Sequence, residues 1–263
     1  MTRNSAVNSG PLWFDHLSRS KTPSLRLFCF PYAGGSAEVY RGWQRWFPAQ
    51  IDICPVHLPG RGKRMTEQAF TRIVPLVNAI ADHVGPLTGS PYALYGHSMG
   101  ALIAFELAHE LLRRRCAGPQ HLFVSGHRAP QRPRTGRALF RLPHDEFIGE
   151  LGKLNGTPRE VLDNPELMEL FIGPLRADFE IVDTYEYHPA AQLPCPITVY
   201  GGLEDKEVPA ESCRAWQEQT SASCKVRMVS GDHFFIREPR PEFIAAFQDD
   251  ILGAVPASRV PES

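Results

Sequence analysis

Apolar residues along this chain gather in short runs: Leu25–Phe30, Ile51–Val56, Tyr92–Tyr95, Leu122–Ser125, Ile197–Tyr200 and Val226–Val229. Such runs, bounded by Pro, Gly or Ser and apolar on consecutive positions, predict strands buried on both faces. Between them, Ile73–His83, Met99–Arg115, Glu211–Thr220 and Pro241–Leu252 carry helical patterns. Alternating strands and helices predict an α/β fold with a mostly parallel central sheet and helices on both faces. One stretch breaks the alternation. From His144 to Tyr187 the apolar positions Phe147, Leu151, Leu154, Leu167, Leu170, Phe171 and Leu175 recur at helical spacing, with Gly156-Thr157-Pro158 and Asn164-Pro165 as boundaries. They predict a helical insertion over about 144–187, a packing cap or a lid, inside a single domain whose core spans about 24–143 and 188–252. Pro174 is expected to kink the last helix of that insertion. Residues 1–20 and 254–263, polar or rich in Pro and Ser, are expected to fray.

Composition narrows the class of activity. Among 263 residues, 28 Lys and Arg oppose 29 Asp and Glu, a formal net charge of −1, where a nucleic-acid binder would be strongly basic. With 43% apolar residues the chain can build a sizeable core, yet its longest apolar runs fall well short of the roughly 18 needed to span a bilayer. The N-terminal residues lack the apolar stretch of a secretory signal. Cys29, Cys54, Cys116, Cys195, Cys213 and Cys224 are scattered, as expected of buried thiols in a reducing compartment rather than zinc ligands. A cytoplasmic protein without metal or other cofactor is expected, not bound to membrane or nucleic acid.

The sharpest chemical signal is Gly96-His-Ser-Met-Gly100, placed between a strand and a helix. G-x-S-x-G in that setting is a tight turn that lifts the Ser98 hydroxyl above the sheet at a helix N-terminus, where the Met99 amide can stabilise an oxyanion. A serine needs a base, and the base an orienting acid, which follow such a turn in the order acid, then His. Of the six histidines after Ser98, His233 comes late, in Gly231-Asp-His-Phe-Phe235 just beyond the last strand. The acid is expected in Gly201-Gly-Leu-Glu-Asp205, with Asp205 favoured and Glu204 the alternative; Asp232, adjacent to His233, is a poor candidate. A second oxyanion amide is expected from Phe30-Pro-Tyr-Ala-Gly-Gly-Ser36, from Ala33 first and Gly34 next.

Taken together, FPYAGG, His57-Leu-Pro-Gly-Arg-Gly62, GHSMG and GDHFF resemble the type II thioesterases, stand-alone α/β-hydrolases that accompany polyketide and nonribosomal peptide synthases. The similarity spans roughly residues 24–252, and Leu175–Tyr187 resembles the family's lid region. Lipases normally carry an HGGG-type loop instead. The resemblance implies an α/β-hydrolase fold with a helical lid. It implies Ser98 as nucleophile, Asp205 as acid, His233 as base, and the amides of Ala33 and Met99 as oxyanion hole. It also implies hydrolysis of stalled or wrong acyl groups, with broad tolerance for short chains, from the phosphopantetheine arm of an acyl or peptidyl carrier protein. In Ser125-Gly-His-Arg-Ala-Pro130 this chain has His127-Arg128 where relatives often have two arginines.

The same triad also serves acyltransferases and general esterases, and a catalytically silent binding module is a third reading. Arg128, Arg132, Arg134 and Arg137 are a candidate docking patch for an acidic carrier protein, whereas Arg113-Arg-Arg115 suits a helix C-terminus. A monomer is expected.

Overall fold

The computed structural model describes residues 13–14, 23–134, 136–157 and 159–257. Its strands are β1 (Leu25–Phe30), β2 (Ile51–Pro55), β3 (Tyr92–His97), β4 (Leu122–Ser125), β5 (Ile197–Gly202) and β6 (Cys224–Val229). They form one sheet in the order β2-β1-β3-β4-β5-β6, with every pairing parallel. Among the described residues the helices are α1 (Ile73–Val84), α2 (Met99–Arg113), α3 (His144–Leu154), α4 (Arg159–Leu162), α5 (Pro165–Asp183), α6 (Ala210–Arg214) and α7 (Pro241–Gly253), joined by short 3-10 turns.

Alternation along the inner strands divides the core in two. Tyr92 and Leu94 of β3 face the α1–α2 layer, while Ala93 and Tyr95 face α7 and the aromatic loop after β1. On the second face Phe247 touches Trp43, Tyr95, Phe123 and Tyr200, with ring centroids 5.1 to 5.9 Å apart. The insertion has a separate cluster of Leu142, Phe147, Leu151, Met168 and Leu175, and α5 ties it to the main core through Ile181.

Departures from the sequence expectations have physical causes. β6, at the sheet edge, is mostly half-buried rather than covered on both faces, and Lys225 and Arg227 on it pair with Asp250 of α7 at 2.7 and 2.6 Å. The helix expected over Glu211–Thr220 is α6 followed by a 3-10 turn, Ala215–Gln219. Three residues per turn align Trp216 with Gln219, so both point inward, and the buried Trp216 indole donates to the His127 carbonyl at 2.9 Å. Pro174 lies inside the last helix of the insertion, α5, where the periodicity places it. Within the stretch expected to fray, Trp13 and Phe14 are buried: the Trp13 carbonyl accepts the His57 amide at 2.9 Å and the Arg64 guanidinium lies 4.0 Å over the indole ring. Ala254 is buried too. The other residues of 1–20, residues 258–263 and Pro158 lie outside the described residues.

Candidate active site

Parallel strands bring the loops at their C-terminal ends to one edge of the sheet, where α/β sheets carry their ligands. There β3 turns sharply into α2 at Ser98, whose φ of 54° and ψ of −117° are strained for a non-glycine residue. Both glycines of the motif are needed for close approach: a Cβ at Gly96 would sit 1.9 Å from the Gly100 carbonyl oxygen, and one at Gly100 2.0 Å from that of Phe30. The Ser98 amide donates to the Ser125 carbonyl at 2.8 Å, which fixes the turn against β4. Ser98 stays partly exposed at the opening of α2, whose first amides have no acceptor within the helix.

The loops after β5 and β6 bring Asp205 and His233 together. His233 Nδ1 lies 2.8 Å from Asp205 Oδ2, and Asp205 Oδ1 accepts the amides of Glu207 at 2.9 Å and Val208 at 3.1 Å. Glu204, the alternative acid, is exposed, and Asp232 caps the Phe234 amide at 2.8 Å. Burial pushes the Asp205 pKa upward, but the His233 hydrogen bond and charge and the two amides outweigh it, so the carboxyl is held below its usual range. For His233 burial works downward, and the Asp205 hydrogen bond and charge, with Glu207 and Asp232, lift it above its usual value.

In the loop after β1 the Gly35 amide donates to the Tyr32 carbonyl at 2.8 Å and the Gly34 amide to Asp178 Oδ2 at 2.7 Å. Gly34, the alternative oxyanion donor, is therefore occupied, while Ala33 lines the same cavity as Ser98 and His233. That cavity has a volume of about 340 Å³. The insertion and the segment before it supply an apolar wall, Leu139, Leu151, Leu175, Phe179 and Val182; Arg128, Arg134 and Lys206 supply basic groups.

A family model described as a thioesterase domain matches residues 25–251, all six strands of the sheet and all seven described helices save the last two residues of α7. The chain belongs to the thioesterase family. The gramicidin S biosynthesis protein GrsT of Aneurinibacillus migulanus is 43% identical over 93% of this chain and 94% of its own length. The thioesterase RedJ from the prodiginine pathway of Streptomyces coelicolor is similar at 35% identity and a TM-score of 0.79, covering 90% of this chain and 91% of RedJ. YbtT, a type II thioesterase from the yersiniabactin pathway, is similar at 30% identity and a TM-score of 0.78, covering 92% and 98%. With this family come the α/β-hydrolase fold and thioester hydrolysis as the class of activity.

Two further buried histidines of this thioesterase lie near the expected site: His97, which the sequence did not single out, and His127, noted only as a neighbour of Arg128. His97 Nδ1 lies 2.7 Å from Ser125 Oγ, which is 2.8 Å from the Tyr95 hydroxyl, and the His97 ring lies tilted against that of His233 with centroids 5.3 Å apart. Burial first, and then the His233 charge, hold His97 well below its ordinary pKa, so it stays neutral. His127 lines the cavity; its Nδ1 sits 2.6 Å from the Arg128 carbonyl and its Nε2 has no partner among the described residues. Burial and the Arg128 charge push its pKa down to about 3. Neither histidine carries a local motif beyond its neighbours in the chain. Of the expected docking arginines, Arg132, Arg134 and Arg137 pair with Glu218, Asp183 and Glu146 of the same chain. Arg113 and Arg114 pair with Glu110, one turn back along α2.

Proposed function

We propose that this thioesterase removes stalled or wrong acyl groups from the phosphopantetheine arm of acyl or peptidyl carrier proteins in polyketide or nonribosomal peptide assembly. The observation that carries the proposal is the pairing of His233 with Asp205 at 2.8 Å on the wall of the cavity that also holds the strained Ser98. Because Nδ1 is held by Asp205, Nε2 is the nitrogen left to take the Ser98 proton. The Ser98 oxygen attacks the thioester carbonyl, the amides of Ala33 and Met99 stabilise the oxyanion, and the thiol leaves with a proton from His233. His233 then draws a proton from water, whose attack on acyl-Ser98 releases the acid.

The insertion serves as lid and acyl chamber: its apolar wall accepts the chain, while Arg128 and Lys206 suit the polar arm. The carrier protein is the partner, and the chain acts as a monomer in the cytoplasm. Supporting that placement, no helix among the described residues is long and apolar enough to cross a membrane. The test is acid release from short- and long-chain acyl-carrier proteins beside the matching acyl-CoA thioesters, with Ser98→Ala in parallel. Fast release from carriers, weak release from CoA and loss in Ser98→Ala are expected. No release from carriers by a chain whose Ser98 still reacts with a phosphonate would point to acyl transfer or to an oxygen ester.

A further inference from the structure

The motif His57-Leu-Pro-Gly-Arg-Gly62 is not part of the proposed chemistry, yet it supplies the most deeply buried ion pair of the insertion. Arg61 and Asp178 are 8% and 1% exposed at their side chains, and they meet as a two-pronged pair, with Nη2 donating to Oδ1 at 2.8 Å and Nη1 to Oδ2. The same Oδ2 accepts the Gly34 amide at 2.7 Å. Gly34 has a φ of +79°, and the Leu175 side chain of α5 fills the space where a Cβ would be, at 2.2 Å. The loop after β1 is thus gripped from α5 at two points, by a carboxylate on its backbone and by a leucine on its open face.

We infer that Asp178, held by Arg61, is a positioning residue that fixes the orientation of the Ala33 amide from the helical insertion. A peptide plane is rigid. Fixing the Gly34 N–H toward α5 fixes the Ala33–Gly34 plane on one side of Ala33, and the Gly35 amide, by donating to the Tyr32 carbonyl, fixes the Tyr32–Ala33 plane that carries the Ala33 N–H on the other. The loop then has one setting, with the Ala33 amide left for the cavity. Arg61 holds Asp178 in register and faces it with an opposite charge; a lone buried carboxylate would be too costly to retain. The inference rests on Ala33 acting as an oxyanion donor, as proposed above, and it makes the acylation rate depend on a residue that touches no substrate.

Removing one partner would bury an unpaired charge and endanger the fold, so the two are replaced together. The pair Asp178→Asn/Arg61→Gln keeps an acceptor for Gly34; the pair Asp178→Leu/Arg61→Met fills the volume without one. Both are compared with wild type for kcat and KM on an acyl thioester and for inhibition by an alkyl boronic acid, whose tetrahedral serine adduct uses the oxyanion site. Expected for the Leu/Met pair is a kcat lower by about 10- to 100-fold with KM little changed, and boronate affinity weaker by a similar factor. The Asn/Gln pair recovers kcat to within about threefold of wild type. If the Leu/Met pair fails to fold, Asp178→Glu retains the charge and the Arg61 pair while displacing the acceptor by one methylene; kcat then falls at unchanged KM. Equal kcat in the two double variants, or wild-type kcat in Asp178→Glu, overturns the inference. A wild-type chain without Ser98-dependent thioester hydrolysis would instead overturn the function on which it rests.

Discussion

Burial alone would favour a neutral His233 and a protonated Asp205; placed 2.8 Å apart, each reverses the other's tendency. In its proposed role as general base His233 works only unprotonated, so its raised pKa is expected to place the acid limb of the kcat/KM profile above the ordinary histidine value. Asp205→Asn removes the charge that raises it, and the remaining burial acts downward. The limb is expected to move toward lower pH while kcat/KM at its plateau falls by about 10⁴-fold, measured as acid release across pH 5 to 9. A limb that stays in place would mean that another group sets it. Ser98, Asp205 and His233 could be proposed from sequence because each stands in a short local pattern just past a strand. The Arg61–Asp178 pair was not: its members lie 117 positions apart and only the folded sheet and α5 make them neighbours. His97 was hidden differently, inside the GHSMG motif itself, where its partner Ser125 comes from the adjacent strand.

Strands buried on both faces announce themselves by composition, which is why β1 and β4 match their apolar runs residue for residue. Where burial is one-sided the pattern weakens: β6 starts two residues before the expected Val226, in Cys224-Lys225, and leans on α7 through Asp250. Trp13 and Phe14 sit in a polar stretch with no periodicity to place them, and the groove that receives them exists only after β2 and α1 have assembled. At this scale α7 is held by aromatic packing as well as by the Asp250 pairs, with Phe247 fully buried among rings from the sheet. Phe247→Ala is expected to cost about 3–5 kcal/mol in denaturant unfolding. Since the ring is on the face opposite α2, kcat per folded molecule is expected to hold; a large loss of kcat at full folding would show coupling between the two faces.

Across the whole molecule, the insertion closes over the cavity from α5 and meets the His233 loop at its far side. Asn155 Nδ2 lies 3.5 Å from Asp232 Oδ2, and the Arg237 guanidinium donates to the Asn155 carbonyl at 3.3 Å. These contacts are few and exposed, unlike the buried Arg61–Asp178 anchor, so opening is expected at the Asn155 end while α5 stays put. A disulfide in Asn155→Cys/Asp232→Cys should slow turnover of carrier-bound acyl groups under oxidising conditions, with reductant restoring the rate of the same variant. Equal rates in both states would show that no opening is needed.

The separate apolar cluster of the insertion, entered after β4 and left before β5, also bears on how such chambers can be exchanged. Swapping this segment between relatives would leave the sheet and the loops that carry Ser98, Asp205 and His233 uncut, so the proposed acyl chamber could be moved as a cassette. The exchange has one fixed condition: the incoming helix must carry a carboxylate where Asp178 stands, or the recipient's Arg61 is left buried without its counter-ion and the graft fails for reasons unrelated to the substrate.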